Sequence, residues 1–197
     1  MTLRPELRRA ARGWRGGARL GAVALVAASA ATVAAMPAPA EERLALRPPA
    51  GLVELDRDRG ADGEIVVRMV PDGETAETWT RMLTVRQVPA DRNVAEYANA
   101  TIRDLARVCP EGRARSLESG EDRGYPFVLF AVECPAMPET GASESFLMKV
   151  MGGRVRLYAV RFAWSGAPAD RDEATGALRW LKGLRPCDTE SDVAPCE

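Results

Sequence analysis

The chain of 197 residues has no histidine, only two lysines (Lys149 and Lys182), and aromatic side chains at 6% of positions. Each shortage removes a class of chemistry. Without imidazole there is no Ser-His-Asp or Cys-His nucleophile system and no His-ligated zinc. The sequence also lacks a Gly-x-Ser-x-Gly elbow, a Gly-x-x-x-x-Gly-Lys phosphate loop, a Ser-x-x-Lys motif and a Cys-x-x-Cys pair. The common hydrolase, nucleotide-binding and dithiol-redox signatures are therefore missing. Carboxylate-pair catalysis needs none of these groups, so an envelope enzyme of that kind stays as the minority expectation. No residue is singled out as catalytic, and no metal ligand set or cofactor is expected.

What is present begins with a leader. Arg4, Arg8, Arg9, Arg12, Arg15 and Arg19 precede an uncharged run over residues 20–40 whose apolar core lies at 20–33. A basic region, a short apolar stretch and small residues follow in the order of a secretory signal. Ala38-Pro39-Ala40 ahead of Glu41-Glu42 offers the small-x-small pattern that signal peptidase accepts, which places the cut after Ala40. A retained anchor would need ~20 strongly apolar residues, more than this Ala-rich core provides. Ala10 and Ala11 stand where twin-arginine signals carry a bulky apolar pair, and no cysteine lies near the cut to take a lipid. Ordinary export to the periplasm or beyond is the expectation, with no stable membrane span after cleavage.

Removing residues 1–40 leaves 21 basic and 27 acidic residues, a net charge of −6. A domain of that charge is a poor partner for nucleic acid. Arginine in place of lysine, with abundant alanine, glycine and proline, is the composition of a high-GC bacterial genome. All four cysteines, Cys109, Cys134, Cys187 and Cys196, lie in the exported part. An even number in an oxidising compartment reads as two disulfides, and three pairings are possible. Sequence proximity favours Cys109 with Cys134 and Cys187 with Cys196. On loop entropy they contribute ~3.5 and ~2.7 kcal/mol.

Residues 41–50 are polar, end in Pro48-Pro49 and read as a flexible lead-in; 51–186 read as one globular domain and 187–197 as a disulfide-pinned tail. Alternation predicts strands at 52–55, 64–70 and 79–88, the last with Trp79, Leu83 and Val85 on one face. Asn93-Val94-Ala95-Glu96 is a capping box, and Val94, Ala98, Ile102, Leu105 and Cys109 then recur at helical spacing, predicting a helix over 94–109. The polar stretch 116–124 reads as a connection. Phe127-Val128-Leu129-Phe130-Ala131-Val132 is apolar throughout and predicts a strand buried on both faces. Residues 146–164 predict a hairpin folded at Gly152-Gly153, where glycine tolerates positive φ. In its second strand apolar residues occupy both faces, so either both are covered or a bulge intervenes. Asp170-Arg171-Asp172-Glu173 opens a last helix striped by Ala174, Ala177, Leu178, Leu181 and Leu184. The fold class is α+β, two main helices packed on a mostly antiparallel sheet.

The segment from Val70-Pro71-Asp72-Gly73-Glu74-Thr75 through Arg81-Met82-Leu83-Thr84-Val85, with the Cys187 and Cys196 ending, resembles a family of uncharacterised exported proteobacterial proteins. The element order is similar to the sandwich of the PsbP-like photosystem extrinsic proteins. These resemblances imply an accessory or binding module outside the cytoplasm and transfer no site residues.

Three sets of residues invite a functional reading. Trp79, Tyr158 and Trp164, with Trp180, Tyr125 and Phe162, would line an apolar cleft if they converged, although core packing is the commoner fate of such rings. Arg154, Arg156 and Arg161 would hold an anion or an acidic partner, or else guard a sheet edge. Asp56, Asp58, Asp62 and Glu64 outline a calcium loop, but Gly60 stands where an acid belongs and Ala61 where glycine belongs, so a solvated hairpin turn is expected. The composite expectation is a binding site drawn from Trp79, Tyr158, Trp164, Arg154 and Arg156, serving an envelope protein or a small apolar ligand.

Overall fold

The structure is a computed structural model that describes residues 42–138, 140–189 and 196; the leader lies outside the described residues. Its elements are β1 (Glu42–Leu44), β2 (Leu52–Arg59), β3 (Ile65–Pro71), β4 (Arg81–Pro89), α1 (Val94–Val108), β5 (Arg113–Asp122), β6 (Tyr125–Cys134), β7 (Glu144–Gly152), β8 (Arg156–Ser165), α2 (Arg171–Gly183) and β9 (Pro186–Asp188). Seven strands form one antiparallel sheet in the order β2-β3-β4-β8-β7-β6-β5, and β1 pairs with β9 in a separate ribbon. The fold is thus α+β with a mostly antiparallel sheet and two helices. No helix among the described residues is long and apolar enough to cross a membrane.

Both helices start where their caps dictate. The Asn93 side chain accepts from the amides of Ala95 (2.8 Å) and Glu96 (3.3 Å), and Asp170 accepts from Glu173 (2.8 Å), satisfying donors that the first turn leaves open. The two helices cover opposite faces of the sheet. On one, Val94, Tyr97 and Ala98 of α1 pack with Phe130, Phe146, Met148, Val150 and Leu157. On the other, Ala177 and Leu181 of α2 and Leu184 after it pack with Leu83, Leu129, Leu147, Tyr158, Val160, Phe162 and Trp164. Two covered faces explain why β8 is apolar in both registers. Its ladders to β4 and β7 run without a shift, so no bulge is involved.

Several expectations need correction. The first strand does not stop at residue 55: β2 runs to Arg59 and the turn occupies 60–63. Residues 42–44 of the polar lead-in pair residue by residue with 186–188, so that stretch carries a strand. The polar stretch after Ser116 belongs to β5, an edge strand interrupted by a register shift between Ser116 and Glu118. Solvent on its outer edge asks for no apolar alternation, and the bulge breaks what periodicity remains. Trp79 precedes the β4 ladder and packs on the α1 side, opposite Leu83 and Val85.

The β7–β8 turn lies where the glycine pair places it, for another reason. Neither Gly152 nor Gly153 has positive φ. Space is what they supply: a Cβ on Gly152 would sit 2.9 Å from Val94 Cγ2, and one on Gly153 would meet the Glu42 carboxylate and lie 2.7 Å from the Arg156 carbonyl. Gly153→Ala should therefore cost ~1–3 kcal/mol in urea unfolding, the usual penalty of overpacking. A loss below ~0.5 kcal/mol would contradict the close approach at this turn.

Both expected disulfides are formed, Cys109 with Cys134 and Cys187 with Cys196. The first joins the end of α1 to the end of β6. The second fastens the chain after β9 to the strand that pairs with β1.

Candidate functional site

Cross-strand register determines which side chains meet beside the start of α2. Arg113, Glu133, Ser145 and Trp164 stand in one row across β5, β6, β7 and β8, and Arg115, Ala131, Leu147 and Phe162 in the next. Leu147, Phe162 and Trp164 belong to the core under α2, so both rows face that helix. Pro168, Ala169 and Ala174 form a wall, and the space between is a groove of about 1020 Å³. Ala131, Leu147 and Trp164 make its apolar base, while Arg113, Arg115, Glu111 and Glu133 are exposed around it. The Trp164 indole N–H is enclosed and has no acceptor among the described residues.

Of the aromatic rings and arginines singled out in the sequence, only Trp164 reaches this groove, which Cys134 of the first disulfide also lines. Tyr158 is fully buried near the opposite end of β8, where its hydroxyl lies 3.3 Å from Glu42 Oε1. Trp79 lies half-buried on the α1 face. Phe162 meets Trp164 and Trp180 at ring distances of 5.0 and 6.3 Å, so these aromatics chiefly pack the core. The composite cleft is not assembled in one place.

The arginines are likewise separated. The β7–β8 hairpin is central in the sheet, so Arg154, Arg156 and Arg161 guard no edge. Arg154 forms an ion pair with Asp188 of β9, and Arg156 Nη1 donates to the Gly63 carbonyl at 2.6 Å. Arg161 lies on the α1 face, paired with Glu144 and 4.4 Å from the Phe146 ring centroid. Burial, and then the nearby Arg86, draw its guanidinium below the ordinary arginine range. The calcium-like acids also meet cations: Asp56 and Asp58 bind Arg68 at 2.8 and 3.2 Å, and Glu64 binds Arg86 at 2.9 Å. Asp62 accepts from the Glu64 amide, closing the hairpin turn.

Glu42 was not singled out by its neighbours in sequence. Its carboxylate accepts the backbone amides of Arg154, Val155 (3.4 Å) and Arg156 (3.2 Å) as well as facing Tyr158. Three successive amides aimed at one carboxylate form an anion nest, filled here by the chain itself. Burial, then the charge of Glu42 and the hydrogen bond to it, raise the Tyr158 phenol above its ordinary value. The unfolded chain ionises this tyrosine near pH 10 while the folded chain keeps the proton, so its stability contribution is complete below that pH and falls above it. Tyr158→Phe should cost ~1 kcal/mol at neutral pH through the lost hydrogen bond. It should also flatten the decline in urea stability between about pH 9 and 11. An equally steep decline in the variant would contradict this placement.

Compared with protein-family models and with curated proteins, the chain matches none.

Proposed function

We propose that this chain is an exported binding or accessory domain, periplasmic or secreted once its leader is removed, which acts by non-covalent contact with an envelope protein or a small apolar ligand. The groove beside α2 carries this reading. At about 1020 Å³ it lies at the upper end of the ~300–1,000 Å³ usual for ligand sites, and it joins an apolar base to a few polar groups as such sites do. Two disulfides suit a compartment where thiols oxidise. The element order fits a relation to the PsbP-like sandwich proteins, which is part of the same proposal.

The test is affinity capture from envelope extract with the oxidised protein, wild type beside Arg113→Glu/Arg115→Glu. Both positions are exposed, so the substitutions leave the core intact. The expected result is a component retained reproducibly by wild type and weakened about tenfold or more by reversing the two charges. Identical recovery on both proteins would remove the groove as the contact.

A further inference from the structure

A second cleft, on the ribbon side of α2, has a different chemistry. Arg43 and Arg47 reach it from the segment that begins with β1, Arg179 from the last turns of α2, and Arg185 from the link to β9. The cleft has a volume of about 620 Å³, and no carboxylate among the described residues lines it. Elsewhere on the described surface some arginines meet acids, Arg68 with Asp56 and Asp58, Arg81 with Glu173 and Arg86 with Glu64, and others such as Arg59, Arg92 and Arg103 stand singly. None of the four cleft arginines has an acidic partner among the described residues. Four guanidinium groups without an acidic partner among the described residues repel one another, and in one concavity they focus a positive potential.

Capping of α2 does not account for this cluster. Cations do favour a helix C-terminus, but that place is taken: Lys149 Nζ donates to the carbonyls of Lys182 (3.0 Å) and Leu184 (2.6 Å). Arg43 and Arg47 also belong to a different segment. That segment is fixed by the β1–β9 ladder, by the Ala45 amide donating to the Arg185 carbonyl (3.1 Å), and by Trp180 Nε1 donating to the Arg47 carbonyl (2.8 Å). The segment is thus fixed by the ribbon and by the Trp180 indole rather than by its charged side chains. Trp180, Leu44 and Leu46 supply an apolar lining between the arginines.

We propose that this cleft binds a phosphate-bearing amphiphile, with the phosphate among Arg43, Arg47, Arg179 and Arg185 and the apolar body along Trp180 and Leu46. Guanidinium forks match phosphate oxygens in pairs, and the indole and leucines give an attached hydrocarbon somewhere dry to lie. A lipid headgroup and a soluble alkyl phosphate share this chemistry. The site is independent of the groove at the other end of α2, and either can fail without the other.

The probes are dodecyl phosphate, pyrophosphate, and vesicles of anionic or zwitterionic phospholipid, each presented to the oxidised protein and to Arg47→Gln/Arg179→Gln. Both substituted positions are exposed, and an unchanged melting temperature verifies the fold. Dodecyl phosphate should bind wild type and bind the variant about tenfold or more weakly. Pelleting with anionic but not zwitterionic vesicles, lost in the variant, would identify the membrane as the source; binding of dodecyl phosphate without pelleting would identify a dispersed amphiphile. Pyrophosphate binding as tight as dodecyl phosphate would overturn the apolar part of the proposal. No binding of dodecyl phosphate, or equal binding by the variant, would overturn it entirely.

Discussion

Lys149→Ala should destabilise the domain by ~3–4 kcal/mol, measured by urea unfolding at neutral pH, since each hydrogen bond from a charged donor contributes a net ~1.5–3 kcal/mol and the ammonium makes two. The side chain is 2% exposed, on the face of β7 covered by α2. Its ammonium joins the sheet to the end of that helix through the carbonyls of Lys182 and Leu184, and lies 4.7 Å from the Phe127 ring centroid. Alanine would leave both carbonyls unanswered and open a void beneath them. Lys149→Met refills most of the volume but restores no donor, so its loss should be ~2–3 kcal/mol. Burial also holds the Lys149 ammonium below the ordinary lysine range, with Asp122 and Glu118 pulling partly the other way. The unfolded chain then keeps a proton that the folded chain releases earlier. Stability relative to the Met variant should therefore grow as pH rises toward the ordinary lysine value. A loss under ~1 kcal/mol for alanine would show that water replaces the ammonium freely.

Cys109→Ser/Cys134→Ser should cost ~3.5 kcal/mol, because the bond closes a loop whose ends are 25 residues apart and its removal restores that much chain entropy to the unfolded state. The loop contains β5 and nearly all of β6, so the edge of the sheet that carries Arg113 and Arg115 should loosen first. Hydrogen exchange should rise in β5 ahead of β4. The Cys187–Cys196 bond closes a shorter loop, so Cys187→Ser/Cys196→Ser should cost ~2.7 kcal/mol. Its local effect should fall on the β1–β9 ribbon, and so on the arginine cleft rather than the groove. A double-serine variant at 109 and 134 that unfolds at the wild-type urea midpoint would contradict the assignment of that bond as a stabilising element.

The helices were legible because two independent signals agreed at each. A cap residue and an apolar stripe at 3.6-residue spacing coincide at Asn93 and again at Asp170. The β7–β8 hairpin was legible in position, although close approach rather than positive φ explains its glycines. β5 was not, since an edge strand open to solvent and broken by a bulge has no alternation to read. β1 and β9 were not either: three-residue strands carry almost no pattern, and their pairing joins opposite ends of the domain. Trp164 of the groove was legible as an aromatic on an apolar strand, but its other members come from β5, β6, β7, the approach to α2 and α2 itself, which only the folded sheet and helix bring together. Lys149 did leave a trace, as one cation inside the otherwise apolar run 146–151. The cleft arginines left none, because 43, 47, 179 and 185 become neighbours only when the ribbon forms.

The most direct test is the intact mass of the protein isolated from its native compartment, taken with thiol alkylation before and after reduction. The expected product is a polypeptide beginning at Glu41 or within a few residues of it, with no alkylatable thiol before reduction and four after. An uncleaved chain beginning at Met1, with all four thiols already reactive, would contradict it.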